Sequence, residues 1–186
     1  MGRLVYSTIG SLDGYAADPD GDFTWAEPTE EVLEFLNETE RPVGTYLYGR
    51  RMYDMMAYWE NAQDEPGLSP ASREYTRIWQ AADKIVYSTT LDRVTTGATR
   101  IERHFDPDLI RRLKAESPRD IGIGGPTIAA EAITAGLVDE YQLYVIPMLV
   151  GGGLQILPPG IRISLDLLEE RRFSGGTVFL RYRVAS

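Results

Sequence analysis

Apolar residues along the chain alternate between two spacings, every second residue as in strands and every third or fourth residue as in helices. Arg3–Ile9 is rich in β-branched and aromatic residues, which predicts a first strand. Thr29 is placed to cap the first helix. Further strands are predicted at Gly44–Tyr48, Asp83–Ser88, within Arg93–Glu102, at Arg119–Ile123 and Asp139–Val150, and on both sides of Ser174–Gly176. Further helices are predicted after Gly49-Arg50-Arg51, from Ser69-Pro70, from Asp106-Pro107 and over Thr127–Ala135.

Strands that alternate with helices predict an α/β sheet. The last strands have no helix between them, so part of the sheet is expected to be antiparallel. A chain of 186 residues without a linker or an internal repeat suits one domain. We therefore expect residues 1–186 to form a single domain around a mixed sheet. Leu12–Glu27 contains several turn signals and is predicted to be a long loop, a kind that is usually functional or disordered.

The composition narrows the classes of function. With 19 Lys+Arg against 28 Asp+Glu the net charge is −9, which disfavours nucleic acid or an anionic membrane as the main partner. The chain has no Cys and one His, His104, which excludes thiol nucleophiles, Cys-based zinc sites and His-rich metal sites. His104 itself is expected at the surface. The N-terminus lacks a signal-peptide pattern, so we expect a cytoplasmic protein without a metal.

The strongest local signal is the segment Asp120–Ile128, in which a buried strand runs into Gly124-Gly125 and a helix begins at Pro126. Glycines let a ligand approach the backbone, and a helix start offers free N–H groups and a positive dipole end, which together suit a diphosphate. A tight turn without a ligand is an equally good interpretation, because the G-x-G-x-x-G spacing is absent.

Two other predicted strand ends carry groups that bind phosphate. Gly49-Arg50-Arg51 puts two cations at a helix start, where they oppose the helix dipole unless an anion is bound; pairing with nearby carboxylates is the alternative. Ser88-Thr89-Thr90 offers hydroxyl groups, although such residues are also common in turns. Since α/β sheets bind ligands at the carboxyl ends of their strands, the three segments together predict a dinucleotide with an extra phosphate.

Four motifs follow one another along the chain in an order and spacing that are typical of one family: Ser11–Tyr15 (SLDGY), Tyr46–Tyr53 (YLYGRRMY), Ile123–Pro126 (IGGP), and Asp139–Pro147 (DEYQLYVIP) followed by Gly151–Gly153. In these the chain resembles the reductase domain of riboflavin biosynthesis, a member of the dihydrofolate reductase-like superfamily, over nearly its whole length. The resemblance implies a mixed, mostly parallel sheet with helices on both faces, NADPH as the cofactor, and a homodimer.

The resemblance also implies roles for single residues. Gly49, Arg50 and Arg51 would contact the cofactor phosphates, and Ser88 and Thr89 would lie near the adenosine end. The residues expected to hold the diphosphate are Gly124, Gly125, Pro126, Thr127 and Ile128. Asp13 matches the acidic residue of the loop after the first strand and is the catalytic candidate; a simple Asp13-Gly14 turn is the alternative.

Dihydrofolate reductases proper hold the pterin with a buried carboxylate on the first helix. Glu30 and Glu31 lie near that position but neither aligns, and both are interpreted as solvated acids that stabilise the helix start. The zinc deaminase that is often fused to the riboflavin enzyme needs Cys ligands, so deamination is excluded.

We expect an NADPH-dependent reductase that transfers hydride to a C=N or C=O bond of a small pterin-, pyrimidine- or flavin-precursor-like heterocycle. Trp25, Tyr58 and Trp59 are candidates to stack on that ring, with packing in the core or at its rim as the alternative. Two other functions remain open: a non-catalytic nucleotide-binding protein on the same fold, and a structural dimer module that binds no nucleotide.

Overall fold

The computed structural model describes residues 1–185. Its strands are β1 Leu4–Ser11, β2 Tyr15–Ala17, β3 Val43–Gly49, β4 Asp83–Tyr87, β5 Thr99–Glu102, β6 Asp120–Gly124, β7 Glu140–Ile146, β8 Leu154–Gln155, β9 Leu165–Arg172 and β10 Val178–Val184. Its α-helices are α1 Glu30–Glu40, α2 Arg50–Met56, α3 Pro70–Ala81, α4 Pro107–Glu116 and α5 Pro126–Thr134.

Eight strands form one sheet in the order β5-β4-β3-β6-β1-β7-β10-β9. The strands from β5 to β7 in this order are all parallel. The two remaining strands are antiparallel, β10 to β7 and β9 to β10. The predicted mixed sheet is therefore confirmed, and its antiparallel part lies at the C-terminal end of the chain, where no helix separates the strands.

Helices cover both faces of the sheet, and the two-residue period of the strands explains why. On β3, Leu47 packs into a cluster with α4 and α5, whereas its neighbours Tyr46 and Tyr48 pack into a second cluster with α2 and α3. Consecutive strand residues point to opposite faces, so a strand that is apolar throughout must be buried on both sides. This confirms the layered α/β arrangement.

Two features of the fold differ from the sequence prediction. The long strand predicted over Asp139–Val150 ends at Ile146, because Pro147 has no N–H to continue the ladder. The turn and strand predicted over Arg93–Glu102 are confirmed, with the strand at Thr99–Glu102. The predicted loop Leu12–Glu27 contains β2, which pairs with β8 in a separate two-stranded sheet.

The β2–β8 pair joins the loop after β1 to the loop after β7. The close approach of the β2 and β8 backbones depends on Gly153, whose φ is +116°. A Cβ at this position would lie 2.1 Å from the carbonyl oxygen of Ala17, so no other residue fits without moving the backbone. The two loops are thereby fixed to each other over one edge of the sheet.

Candidate functional site

The three segments predicted to bind phosphate lie side by side. β4, β3 and β6 are parallel neighbours, and their carboxyl ends are aligned: Gly49 pairs with Tyr87, and Tyr48 pairs with Gly124. Segments separated by dozens of residues in sequence therefore meet at one edge of the sheet. This is the edge at which α/β proteins bind their ligands.

The turn between β6 and α5 is open at the helix start. Gly125 is the N-cap of α5 with φ +95° and ψ 121°, and it has no side chain to cap the helix. Pro126 fills the first helical position, where an N–H would have no partner. The N–H groups of Thr127 and Ile128 belong to the first turn and have no acceptor within the helix. Free donors and the positive end of the helix dipole thus point to the same place.

Packing explains the adjacent glycine. A Cβ on Gly124 would lie 2.9 Å from the ring of Tyr48, and a Cβ on Gly125 would lie 3.2 Å from the Cβ of Met52. Both glycines therefore let α2 and β3 approach the turn closely. The tight-turn interpretation and the diphosphate interpretation are compatible here, because the same backbone both packs closely and presents free amides.

The two arginines that begin α2 differ in their contacts. The Nε of Arg50 lies 3.1 Å from Oδ2 of Asp54, and its Nη1 donates to Oγ1 of Thr90 at 3.3 Å. The alternative of a carboxylate pair therefore applies to Arg50, although an exposed pair of this kind contributes little stability. Arg51 is exposed and makes no ion pair with any residue in 1–185. Gly49, the N-cap of α2, makes no side-chain cap either.

Ser88 shapes the turn after β4. Its buried Oγ accepts hydrogen bonds from the backbone N–H groups of Thr90 at 3.3 Å and Leu91 at 3.0 Å. Thr89 is exposed at the tip of the turn. Of the two predicted residues, Thr89 therefore presents its hydroxyl to solvent, whereas the hydroxyl of Ser88 is used within the turn.

Arg103 also lies at this turn, and sequence reasoning missed it. Its Nη1 donates to the carbonyl oxygens of Ser88 at 2.9 Å and Leu91 at 2.7 Å. The signal that points to Arg103 is its position directly after β5, the next parallel strand beyond β4. The turn after β4 is therefore contacted by Arg50 from one side and by Arg103 from the other.

Asp13 is held by both loops above the sheet edge. Its carboxylate accepts hydrogen bonds from the Ser11 hydroxyl at 2.6 Å and from the backbone N–H groups of Gly151 at 2.8 Å and Val150 at 3.2 Å. The hydrogen bond from Ser11 and those from the two amides lower the pKa of Asp13 below its usual value, although the carboxylate is exposed. Asp13 is thus ionised at neutral pH and links the loop after β1 to the loop after β7.

A cleft of about 390 Å³ lies between these loops and α5. One wall is formed by Pro126, Thr127 and Ala130, and the other by Tyr15 and the segment 153–159. The β2–β8 pair therefore faces the open start of α5 across a cavity within the usual size range of small-molecule sites.

The other sequence candidates have separate partners. Trp25 donates its ring N–H to the carbonyl oxygen of Asp22, and Trp59 packs edge-on against Tyr75 with ring centroids 4.9 Å apart. Glu30 accepts a hydrogen bond from the N–H of Ala71. The remaining candidates are Glu31, which accepts from Ser174, exposed Tyr58, which donates to Glu65, and exposed His104 at the strand end.

The buried carboxylate of α1 is Glu40, which sequence reasoning did not identify. It lies at the last position of the helix, three residues before β3 begins at Val43, and accepts a hydrogen bond from the Tyr46 hydroxyl at 2.9 Å. Burial raises its pKa, partly offset by the hydrogen bond from Tyr46. Glu30 begins α1 and Glu40 ends it. Glu40 therefore lies near the amino end of β3, away from the row of carboxyl strand ends.

Comparison with known proteins agrees with this geometry. The profile of the RibD C-terminal domain family matches residues 3–179. The chain belongs to the RibD C-terminal domain family. The curated "Uncharacterized protein YyaP" of Bacillus subtilis (strain 168) is 27% identical over 184 residues, covering 97% of this chain and 94% of that protein. Membership of this family supports a reductase-type function.

Solved structures share the fold over the whole RibD-type domain. A putative riboflavin biosynthesis protein from Shewanella sp. PV-4 superposes with a TM-score of 0.75 at 22% identity, with 100% of both chains covered. Dihydrofolate reductase from Enterococcus faecalis, complexed with NADP(H) and RAB-propyl, gives a TM-score of 0.67 at 14% identity, covering 100% of this chain and 98% of that one. The fold is therefore dihydrofolate reductase-like, as the sequence motifs predicted.

Proposed function

We propose that this RibD C-terminal domain protein is an NADPH-dependent reductase. Its substrate would be a small pterin-, pyrimidine- or flavin-precursor-like heterocycle, reduced at a C=N or C=O bond. The observation that carries the proposal is the row of aligned strand ends, in which the start of α2 lies between the uncapped start of α5 and the turn after β4. Two uncapped helix starts with arginines alongside suit a ligand with several phosphates.

The residues present fit a dinucleotide that extends along this row. The free N–H groups of Thr127 and Ile128 would hold the diphosphate, with Gly124, Gly125 and Pro126 shaping the turn. Gly49 offers a close approach, because a Cβ there would have no neighbour nearer than 3.9 Å. Arg51 would supply an unpaired cation, and Arg50 with Ser88 and Thr89 would receive the adenosine end and its extra phosphate.

The charge state of Asp13 limits its role in the chemistry. Bound NADPH would supply a hydride to the carbon of the substrate C=N or C=O bond, and the nitrogen or oxygen must then receive a proton. A carboxyl group with a lowered pKa is ionised at neutral pH and has no proton to give. We therefore assign Asp13 to orienting or polarising the substrate, with a water molecule as the proton source.

A thermal-shift comparison of NADPH, NADH, FMN and buffer, followed by turnover assays on a panel of pterins and pyrimidines, tests the proposal. Stabilisation by NADPH and its consumption with at least one heterocycle would support it. Stoichiometric NADPH binding without oxidation across the panel would favour the non-catalytic nucleotide-binding protein. No stabilisation by NADPH or NADH would contradict both.

A further inference from the structure

Three segments of the chain surround Asp13 at the substrate end of the proposed site. The carboxylate of Asp13 joins the loop after β1 to the loop after β7. The start of α1 lies near the end of β7, because the turn between β9 and β10 touches both. A Cβ on Gly175 would lie 3.8 Å from Thr29, and a Cβ on Gly176 would lie 3.2 Å from Pro147. The charges of these segments therefore act on whatever binds beside Asp13.

None of the three segments contains a Lys or an Arg. Residues 4–40, which include the loop after β1 and all of α1, have ten acidic residues and no basic residue. Residues 147–161, the loop after β7, have no charged residue at all. Within residues 1–185, no acidic side chain between positions 4 and 40 forms an ion pair. The negative charge at this end of the site is therefore not neutralised by ion pairs.

Arg171 approaches this region from the end of β9, where two rings and one acid already hold it. Its guanidinium carbon lies 4.5 Å from the ring centroid of Phe35 and 5.1 Å from that of Phe173. The pKa of Glu31 is lowered by hydrogen bonds from Ser174 and, in addition, by the charge of Arg171. A phosphate group would have to compete with Glu31 for this cation.

The cleft between the two loops and α5 is lined by uncharged side chains. Its walls consist of Tyr15, three residues of α5 and residues of the segment 153–159, none of which carries a charge. At the cofactor end, by contrast, Arg50 and Arg51 begin α2. Charge is thus divided along the proposed site, with cations where the cofactor phosphates would lie and only neutral or acidic groups where the substrate would lie.

We propose that the substrate carries neither a phosphate nor a carboxylate, and that it is an uncharged heterocycle, reduced as the free base or as a riboside. An anionic substituent would be repelled by the acidic segments and would find no cation in them to compensate. An uncharged ring avoids this repulsion and matches the uncharged walls of the cleft. This inference rests on the proposed function, which by itself leaves the charge of the substrate open.

Calorimetric titration with matched pairs tests the inference. Each pair is a pyrimidine or pterin riboside and its 5′-phosphate, titrated into the protein with and without saturating NADPH. We expect the unphosphorylated member to bind at least about tenfold more tightly. Equal or tighter binding of the phosphorylated member, or no binding by any pair, would overturn the inference. Failure of NADPH to bind would instead contradict the proposed function, and the titrations without NADPH would still decide the inference.

A substitution tests whether the preference comes from local charge. Glu31→Gln removes one negative charge and keeps an oxygen that can accept from Ser174. It should improve binding of the phosphorylated member about twofold to fivefold and leave binding of the riboside unchanged. The matched control is exposed Glu38→Gln, about 10 Å further along α1, which should change neither. No gain in Glu31→Gln, or equal gains in the two variants, would contradict the inference.

Discussion

At the residue scale, Asp13 has a structural contact and a proposed catalytic role at once. Its carboxylate accepts from the Ser11 hydroxyl and from the amides of Val150 and Gly151. The Asp13-Gly14 turn considered from sequence alone does not include the amides of Val150 and Gly151, because they come from a loop more than a hundred residues away. The proposed catalytic role and the link between loops therefore have to be separated by experiment.

Asp13→Asn is expected to keep NADPH affinity and lose about a hundredfold of turnover if the carboxylate orients the substrate. An amide nitrogen cannot accept from the backbone N–H groups, so the variant should also show weaker attachment of the two loops. Ser11→Ala serves as the control, because it removes a hydrogen bond that holds Asp13 in place and keeps the charge of the carboxylate. If both variants lose turnover equally, Asp13 acts only through the loops.

A second residue-scale prediction concerns the pH dependence of stability. The pKa of Glu40 is raised by burial in the folded state, so the folded protein binds more protons than the unfolded chain above the unfolded pKa. The contribution of Glu40 to stability therefore falls as the pH rises from the unfolded pKa toward the raised folded pKa.

Glu40→Gln should raise the free energy of unfolding near pH 8 relative to the parent chain, with the gain shrinking toward pH 4. Exposed Glu34→Gln on the same helix is the control and should change little. Thermal unfolding from pH 4 to pH 8 measures the effect. A Glu40→Gln variant that is destabilised equally at both ends of this range would contradict the pKa direction.

At the scale of elements, the proposed cofactor site depends most on the start of α5. Gly125→Ala must place a side chain at φ +95° and 3.2 Å from Met52, so the turn should shift and misalign the amides of Thr127 and Ile128. NADPH affinity should fall at least about tenfold while the protein stays folded.

Gly136→Ala is the matched control for this prediction. Gly136 follows the other end of α5 with φ +65° and has no neighbour within 4 Å of an added Cβ. Its φ is also positive but lies in the left-handed region that other residues can adopt, and it does not touch the proposed site. Calorimetric titration with NADPH, beside circular dichroism, compares the two variants. Equal affinities in two folded variants would make the Gly124-Gly125 turn structural only.

Local signals predicted the long elements well. Thr29 and Ser69 cap α1 and α3 through their side chains, as their positions before apolar periodic segments indicated. β2 and β8 were missed because strands of three and two residues have no periodicity. Their pairing depends on a contact between distant loops, and no local pattern encodes such a contact.

The sequence could predict which segments meet at the candidate site, because their meeting follows from where the parallel strands end. Gly49, Ser88 and Gly124 were predicted to lie together because parallel strands end at one edge, and the strand register aligns them. The contacts of Arg103 and the burial of Glu40 were missed, since both depend on which side chains tertiary packing brings close.

At the scale of the whole molecule, the fold groups positive side chains at one edge of the sheet although the chain as a whole is acidic. The chain has a net charge of −9, yet Arg50, Arg51 and Arg103 lie around the carboxyl ends of adjacent strands. An acidic surface elsewhere disfavours other polyanions as ligands, while a local group of cations favours one that carries phosphates. We therefore expect a preference for NADPH, which carries the additional phosphate, over NADH.

Calorimetric titration of the parent chain with NADPH and with NADH tests this central claim most directly. Loss of a charge-assisted phosphate contact costs about 1.5–3 kcal/mol, so NADPH should bind on the order of tenfold to a hundredfold more tightly. Arg50→Ala should weaken NADPH more than NADH, whereas Arg111→Ala, a surface arginine paired with Asp108 on α4, should leave both unchanged. Equal dissociation constants for NADPH and NADH in the parent chain would contradict the account.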